Sequence, residues 1–208
     1  MKQPLGVILA GGLATRMGGG DKGRLDLNGR SILTHVIDRL APQVAGLALN
    51  ANNDPARFAD LDMPVLPDSV AGYAGPLAGV LAGLDWAARQ GADTIVTAAA
   101  DTPFFPCDLT PRLLLAAEGM THPLALAATR DDGPDGKLWR HPTFGLWPVA
   151  LRDDLRAALN GGLRKVVLWT DQHAAGTAIF PTQAGDPFFN VNTPDDLAMA
   201  QAMAADQT

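Results

Sequence analysis

The chain has little of what thiol or metal chemistry needs, with one cysteine and four histidines in 208 residues. A single cysteine excludes an internal disulfide framework and a four-thiolate metal site within one chain. That residue, Cys107, follows Pro106 without a recognisable catalytic signature, so we interpret it as an incidental or buried thiol. The histidines are scattered along the sequence, and their spacing does not predict a metal site.

The sequence also lacks a basic excess and any long apolar run. Its net charge of -6 argues against a broad nucleic-acid interface, which needs a basic face. There is no apolar span of 18 residues and no basic N-terminal segment followed by an apolar core. We therefore expect a cytoplasmic protein with no nucleic-acid or membrane partner. A length of 208 residues predicts one domain over residues 1–208, and 47% hydrophobic and 18% charged residues are ordinary values for a globular protein.

Glycine is abundant in one place, the segment 9–23, which reads LAGGLATRMGGGDKG. It follows an apolar run over residues 5–9 that predicts a buried strand. Six glycines let bare backbone N–H groups approach an anion, because glycine has no Cβ and permits a positive φ. Arg16 and Lys22 would supply the countercharge, with Arg16 able to form a fork on phosphate. The segment predicts a phosphate-binding loop for a nucleotide.

Two known phosphate loops fit this segment poorly. Walker A fails, because Lys22 is followed by glycine where that motif needs serine or threonine. A G-x-G-x-x-G match exists at Gly18, Gly20 and Gly23, with Asp38 further on as a candidate ribose acid. However, this match begins well after the strand and leads into a turn-like segment rather than a helix. A flexible glycine loop without a ligand stays open as the plain alternative.

The opening segment resembles the molybdenum cofactor guanylyltransferases, whose signature reads L-A-G-G-x-x-x-R-M-G-G-x-D-K-G. Each further motif is weak alone, but all occur in the family's order, and the resemblance runs from end to end. These motifs are LNAN at 49–52, PDS at 67–69, GPLAG at 75–79, DTP at 101–103, HPTFGLW at 141–147 and NVNTP at 190–194.

Apolar runs alternate with helical patterns along the chain. Strands are predicted at 5–9, 47–50, 64–66, 94–98, 124–128 and 144–147, and helices after Ser31, after Pro76, near 113 and after Thr193. Thr193 is the predicted N-cap of the last helix, with Pro194 in its first position. This alternation predicts an α/β fold: a doubly wound, mostly parallel sheet with helices on both faces. The resemblance implies the same Rossmann-like nucleotidyltransferase fold.

Several polar or glycine positions directly follow predicted strands. Ligands of doubly wound sheets bind beyond the carboxyl ends of strands, so residues 9–12, Asn50, Asp68 and Asp101 should share one edge. Asp101 ends a small apolar strand, and one carboxylate there suits Mg²⁺, which otherwise prefers phosphate oxygens and water. Plainer interpretations stay open: an N-cap for Asp101, and turn residues for Asp68, Asn50 and Asn52.

The resemblance implies roles for these positions. The backbone of Leu9, Ala10 and Gly11, continuing to Gly12, would hold guanine and ribose together with the side chains of Asn50 and Asp68. Lys22 would reach the phosphates and Asp101 would bind Mg²⁺, so that Arg16, Lys22 and Asp101 form the catalytic set. Asn190 and Asn192 would lie on the molybdopterin side, although they could also simply prepare the last helix. His141, which precedes a proline, is expected to be structural or at the substrate edge rather than a general base.

The activity implied by this resemblance is transfer of GMP from GTP to the phosphate of molybdopterin or molybdenum-molybdopterin, with release of pyrophosphate. Further partners would be apo-molybdoenzymes and other cofactor-biosynthesis proteins. The alternatives are a cytidylyltransferase, a sugar-phosphate nucleotidyltransferase and a non-catalytic nucleotide-binding protein. Gly11 argues against the cytidylyl relatives, which resemble L-A-A-G here, and the presence of both Lys22 and Asp101 argues against a non-catalytic role.

Overall fold

The computed structural model describes residues 2–11, 22–52, 54–70, 75–131, 136–182 and 185–205. The strands are β1 (Leu5–Leu9), β2 (Asp26–Leu27), β3 (Arg30–Ser31), β4 (Leu47–Asn50), β5 (Val65–Leu66), β6 (Thr94–Ala99), β7 (Ala125–Arg130), β8 (Leu138–Pro148) and β9 (Gly176–Phe180). The helices are α1 (Ile32–Leu40), α2 (Pro76–Arg89), α3 (Leu109–Ala116), α4 (Arg152–Asn160), α5 (Val166–Gln172) and α6 (Pro194–Ala205). Short 3-10 turns occur at Lys22–Arg24, Ala41–Gln43, Pro55–Phe58 and Val149–Leu151.

The central sheet has seven strands in the order β5-β4-β1-β6-β8-β7-β9. Only β8 runs antiparallel to its neighbours in this sheet; the other described pairings are parallel. The predicted mostly parallel sheet is therefore confirmed. Strand β8 is reversed because it returns directly from β7 and then inserts between β6 and β7.

Both faces of the sheet are covered, as the alternation of apolar side chains along the strands requires. Ile8 and Val96 point to the face covered by α1 and α3. Their neighbours Val7 and Ile95 point to the opposite face, which α2, α4 and α5 cover. The doubly wound architecture predicted from the sequence is confirmed by these two cores.

Some elements differ from the sequence expectation. The predicted strand 144–147 is the end of the eleven-residue β8, while β9, α4 and α5 were not predicted. Strand β9 lies at the sheet edge and buries only Ala178 and Phe180, and α4 buries only Leu155 and Leu159, so few large apolar residues mark either element.

The segment we expected to be a turn before α1 is a β2–β3 hairpin. Its two turn residues, Asn28 and Gly29, have φ of 54° and 84°. Positive φ at both positions matches the twist of a two-residue hairpin, for which Asn-Gly is the favoured sequence. The Asn28-Gly29 pair therefore indicated a hairpin, whereas the sequence analysis predicted only a turn.

The N-terminus of α6 has the predicted cap. Thr193 Oγ1 accepts a hydrogen bond from the Asp196 N–H at 3.1 Å, and Asp196 Oδ2 accepts one from the Thr193 N–H at 2.8 Å. This reciprocal arrangement is a capping box, which satisfies two N–H groups that the helix itself leaves unpaired. Helix α6 then packs on the hairpin, where Asn28 Nδ2 donates to the Gln201 carbonyl at 3.0 Å.

Among the described residues, no helix is long and apolar enough to cross a membrane.

Candidate active site

The carboxyl end of β1 is the centre of the candidate site. Strand β1 lies between β4 and β6, where the strand order reverses direction, and such reversals leave a crevice beyond the strand ends. The Ala10 N–H donates to the Asn50 carbonyl at 2.8 Å, and the Ala100 N–H donates to the Leu9 carbonyl at 3.1 Å. These bonds fix the backbone leading to Gly11. The predicted ligands Gly12 and Arg16 lie outside the described residues.

Three side chains form an amide–carboxylate network on the β4 side of β1: Asn50, Asn52 and Asp68. Asn50 Nδ2 donates to Asp68 Oδ1 at 2.9 Å and to the Leu66 carbonyl at 3.1 Å. Asn52 Nδ2 donates to Asp68 Oδ2 at 2.7 Å, and the Asp68 N–H returns a bond to Asn52 Oδ1 at 2.8 Å. Asn50 is only 2% exposed, so its side chain has little room for another position. The network holds the Asp68 carboxylate in one orientation at the sheet edge.

Two glycines press against this network. A Cβ at Gly79, in the first turns of α2, would overlap Asn50 Oδ1 and would lie 2.8 Å from Asn50 Cγ. A Cβ at Gly11 would lie 3.3 Å from the same oxygen and 3.5 Å from Asn52 Nδ2. The side-chain Oδ1 of Asn50 therefore points between β1 and α2, where only glycine leaves it space.

A second group, the lysine–aspartate cluster, lies at the end of β6 and consists of Lys22, Asp101, Thr102, Asn190 and Asn192. Lys22 Nζ donates to Asn192 Oδ1 at 2.8 Å, although the two residues are 170 positions apart. Thr102 Oγ1 contacts Asn190 Oδ1 and lies 3.3 Å from Asp101 Oδ1. The structure thus brings together four of the residues that the resemblance assigned to catalysis or to the acceptor.

Electrostatics single out Asp101 in this cluster. Burial raises the pKa of Asp101, and the positive charge of Lys22 and the Thr102 hydroxyl offset only part of that rise. A carboxylate in this position gains from a further cation, because desolvation is what disfavours its charged form. In the part of the chain that the structure describes, no three His, Cys, Asp or Glu side chains group closely enough to hold a metal. One carboxylate that leaves the remaining ligands to phosphate and water fits Mg²⁺.

Sequence reasoning missed three contributors to the site. Asp196, in the first turn of α6, accepts the Asn192 N–H at its Oδ2 at 2.9 Å and so holds the segment 190–192. The T-x-x-D spacing from Thr193 was the available signal. Thr102 bridges to Asn190, and Asn52 holds Asp68; the i, i+2 spacing of Asn50 and Asn52 could have indicated a shared direction.

His141 lies against Phe188, two residues before Asn190 of the lysine–aspartate cluster. Its ring stacks on Phe188 with centroids 4.2 Å apart, and its Nε2 lies 3.0 Å from Thr129 Oγ1. Burial lowers the pKa of His141, and the charge of Asp186 opposes that shift only in part. An imidazole packed on the segment leading to Asn190 is consistent with the first of the two roles expected for it, structural or at the substrate edge.

The two groups occupy one edge of the sheet. Asp68 follows β5 and Asp101 follows β6, three strand positions apart, which corresponds to about 14 Å of sheet edge at the usual strand spacing. The edge between them is the backbone of Leu9, Ala10 and Gly11. This arrangement can hold an extended ligand with a polar heterocycle at one end and an anionic group at the other.

Comparison with known proteins adds a family to this geometry. A model of the MobA-like NTP transferase domain matches residues 6–175. A relative named molybdenum cofactor guanylyltransferase, from Bradyrhizobium sp. (strain ORS 278), is 52% identical over 203 residues, covering 96% of this chain and 92% of the relative. A relative of the same name from Cereibacter sphaeroides is 50% identical over 198 residues, covering 95% of each chain.

Solved structures share the fold at lower identity. Molybdopterin-guanine dinucleotide biosynthesis protein A from Archaeoglobus fulgidus superposes with a TM-score of 0.68 at 21% identity, covering 97% of this chain and 99% of its own. A CMP:2-keto-3-deoxy-manno-octonic acid synthetase complexed with CTP superposes with a TM-score of 0.76 at 13% identity, covering both chains in full. At these identities the likeness shows the fold alone.

Proposed function

This chain belongs to the family of MobA-like NTP transferases, and from that we propose that it is a molybdenum cofactor guanylyltransferase. The reaction transfers GMP from GTP to the phosphate of molybdenum-molybdopterin and releases pyrophosphate. Support comes from relatives of that name at about half identity over nearly the whole chain. The structural observation that carries the proposal is the placement of the amide–carboxylate network and the lysine–aspartate cluster on one sheet edge.

Guanine would bind at the amide–carboxylate network. The Asp68 carboxylate can accept the guanine N–H donors, because each of its oxygens retains a free lone pair after accepting one amide bond. Backbone groups of Leu9, Ala10, Gly11 and Gly12 would contact the base and ribose, since Gly11 presents no Cβ at this edge. Cytosine lacks the paired N–H donors that guanine presents, so this geometry favours GTP over CTP.

The triphosphate would lie toward Lys22 and Asp101, with Arg16 as a further phosphate ligand. The family generally uses a divalent metal ion, and we propose Mg²⁺ held by Asp101. When bound, it would neutralise phosphate charge at the α-phosphorus and on the leaving pyrophosphate. In this structure Lys22 donates a hydrogen bond to the neutral amide oxygen of Asn192. With GTP bound, Lys22 would donate to a phosphate oxygen instead, and that hydrogen bond is stronger because both partners are charged.

The attacking group, a phosphate monoester on the pterin, is already an anion. The reaction therefore needs no protein base, and the chain contributes positioning and charge stabilisation. The acceptor would be held on the Asn190 and Asn192 side, where Thr102 and Asp196 fix both asparagines.

We further propose one catalytic domain over residues 1–208, action in the cytoplasm, and transfer of the product to apo-molybdoenzymes with other cofactor-biosynthesis proteins.

The direct test is to incubate the protein with GTP, Mg²⁺ and molybdenum-molybdopterin and to detect the guanine dinucleotide by mass. We expect product with GTP and little with CTP. Asp101→Asn should abolish product, whereas Asp93→Asn, which changes an exposed carboxylate at the opposite end of β6, should not. Equal or greater product with CTP would instead establish a cytidylyltransferase. GTP binding without any transfer would favour the non-catalytic alternative.

A further inference from the structure

Arg24 makes a set of contacts that the proposed reaction does not use. It ends the 3-10 turn Lys22–Arg24, two residues after the lysine of the candidate site. Its guanidinium donates to both carboxylate oxygens of Asp60, at 2.5 and 2.6 Å, and to the Arg57 carbonyl at 2.7 Å. Its Cζ lies 5.3 Å from the centre of the Phe58 ring, a side chain that is only 3% exposed.

These contacts attach the lysine turn to the segment that follows β4. That segment begins with Asp54, shortly after Asn52 of the amide–carboxylate network, and Asp54 Oδ1 caps it by accepting the Ala56 N–H at 2.9 Å. The guanidinium fork and the ring contact fix both the position and the plane of the Arg24 side chain. The turn is therefore held at a defined distance from the base side of the site.

The other side of the same turn lies against the end of β6. A Cβ at Gly23 would lie 3.3 Å from Leu33 Cβ and 3.7 Å from the Ala100 carbonyl oxygen, so the turn approaches the residue before Asp101 closely. The Leu25 N–H closes the turn by donating to the Lys22 carbonyl at 3.1 Å. The backbone of Lys22 is thus held between the strand that carries Asp101 and the segment bound by Arg24.

We propose that Arg24 and Asp60 form a positioning pair that sets the reach of Lys22 to the triphosphate. The inference rests on the phosphate role of Lys22 in the proposed function. A flexible lysine delivers its charge accurately only if its backbone is fixed, and misplacement of a binding group by about 1 Å can cost up to a hundredfold in rate. Neither residue of the pair needs to touch the substrate, so both act through Lys22.

An ion pair that contributed only to stability would leave GTP affinity unchanged when it was broken. Exposed pairs contribute little to stability, and Arg24 and Asp60 are 30% and 60% exposed in their side chains. The chain offers a matched control in the Arg30–Asp38 pair, which has a similar N–O distance of 2.5 Å and side-chain exposures of 49% and 53%. Asp38 lies on α1 and Arg30 on β3, so their hydrogen bond joins that helix to the hairpin rather than the lysine turn to the segment after β4.

The test compares Asp60→Asn with Asp38→Asn, measuring GTP affinity by calorimetry, turnover, and the melting temperature. We expect Asp60→Asn to weaken GTP binding by about tenfold, because the fork to Arg24 is lost, and to leave acceptor KM unchanged. Asp38→Asn should stay within about twofold of the wild type. Arg24→Lys, which keeps the charge and loses the fork, should show an intermediate loss.

A double-mutant cycle decides whether the pair acts through Lys22. In a Lys22→Ala background, Asp60→Asn should have no further effect on GTP affinity. If Asp60→Asn weakened GTP binding equally in both backgrounds, the inference would be overturned. It would also be overturned if Asp60→Asn alone left GTP affinity unchanged, or if partial unfolding, seen as a lower melting temperature, accounted for the weaker GTP binding. If Lys22→Ala itself left GTP affinity intact, the inference would fail, while product formation by the wild type would still decide the proposed function separately.

Discussion

Substitution of Gly79 by alanine tests whether the geometry around Asn50 selects the base. The new methyl group would overlap Asn50 Oδ1 and lie 2.9 Å from Leu9 Cδ2. Asn50 is fully enclosed and cannot tilt without breaking its two bonds, to the Leu66 carbonyl and to Asp68. We therefore expect the Asp68 carboxylate to lose its fixed orientation.

The magnitude follows from these contacts. Two lost hydrogen bonds cost about 2 kcal/mol. Overpacking adds about 1–3 kcal/mol, and the better helix propensity of alanine returns about 1 kcal/mol. The free energy of unfolding should fall by about 2–4 kcal/mol, and the preference for GTP over CTP should fall by at least about tenfold, or 1.4 kcal/mol in binding.

Gly83→Ala is the matched control, one helical turn further along α2. Its Cβ would lie 2.7 Å from Val7 Cγ2 and 2.9 Å from Ile95 Cδ1, so it overpacks the same interface without touching Asn50. Calorimetry with both nucleotides and urea unfolding of both variants give the comparison. If Gly79→Ala lost stability but kept its nucleotide preference, as Gly83→Ala should, then Asn50 and Asp68 would not select the base.

Three further substitutions test the remaining parts of the site. Asp101→Asn should lose nearly all turnover, since an amide is a poor substitute for a carboxylate that anchors Mg²⁺, and unchanged Mg²⁺-dependent activity would remove Asp101 from the site. Burial raises the pKa of Asp101 above its ordinary value of 3.8, so ionisation of this carboxyl lowers the stability of the folded protein as the pH rises through the raised pKa. The amide of Asp101→Asn does not ionise, so without metal this variant should melt no lower than the wild type at pH 7. Asn192→Ala should spare GTP affinity and raise acceptor KM, and an equal loss of GTP affinity would contradict that placement. Gly11→Ala places a Cβ 3.3 Å from Asn50 Oδ1, so it should reduce the GTP-over-CTP preference by about tenfold, and a normal melting curve with unaltered preference would limit the glycine to a role in the turn.

Much of the fold was predictable because its signals are local. The strand before the glycine loop, the helix after Ser31 and the capped helix at Thr193 each depend on residues close together in sequence. Alternation of strands and helices then predicts the doubly wound class through general rules of chain connection. Strand β9 and helix α4 escaped detection because an edge strand and a half-exposed helix bury few side chains.

In the candidate site, too, the local features were predictable from the sequence and the long-range contacts were not. The sequence by itself determined which residue types are present and that they follow strands, which predicts the edge where Asn50, Asp68 and Asp101 lie. Only the tertiary structure decided their partners: Lys22 bonds Asn192 across 170 positions, and Arg24 reaches Asp60 across 36. The insertion of the antiparallel β8 between β6 and β7 was likewise decided by tertiary structure. Such contacts depend on strand order and on the close approach of packed elements, and local sequence patterns encode neither.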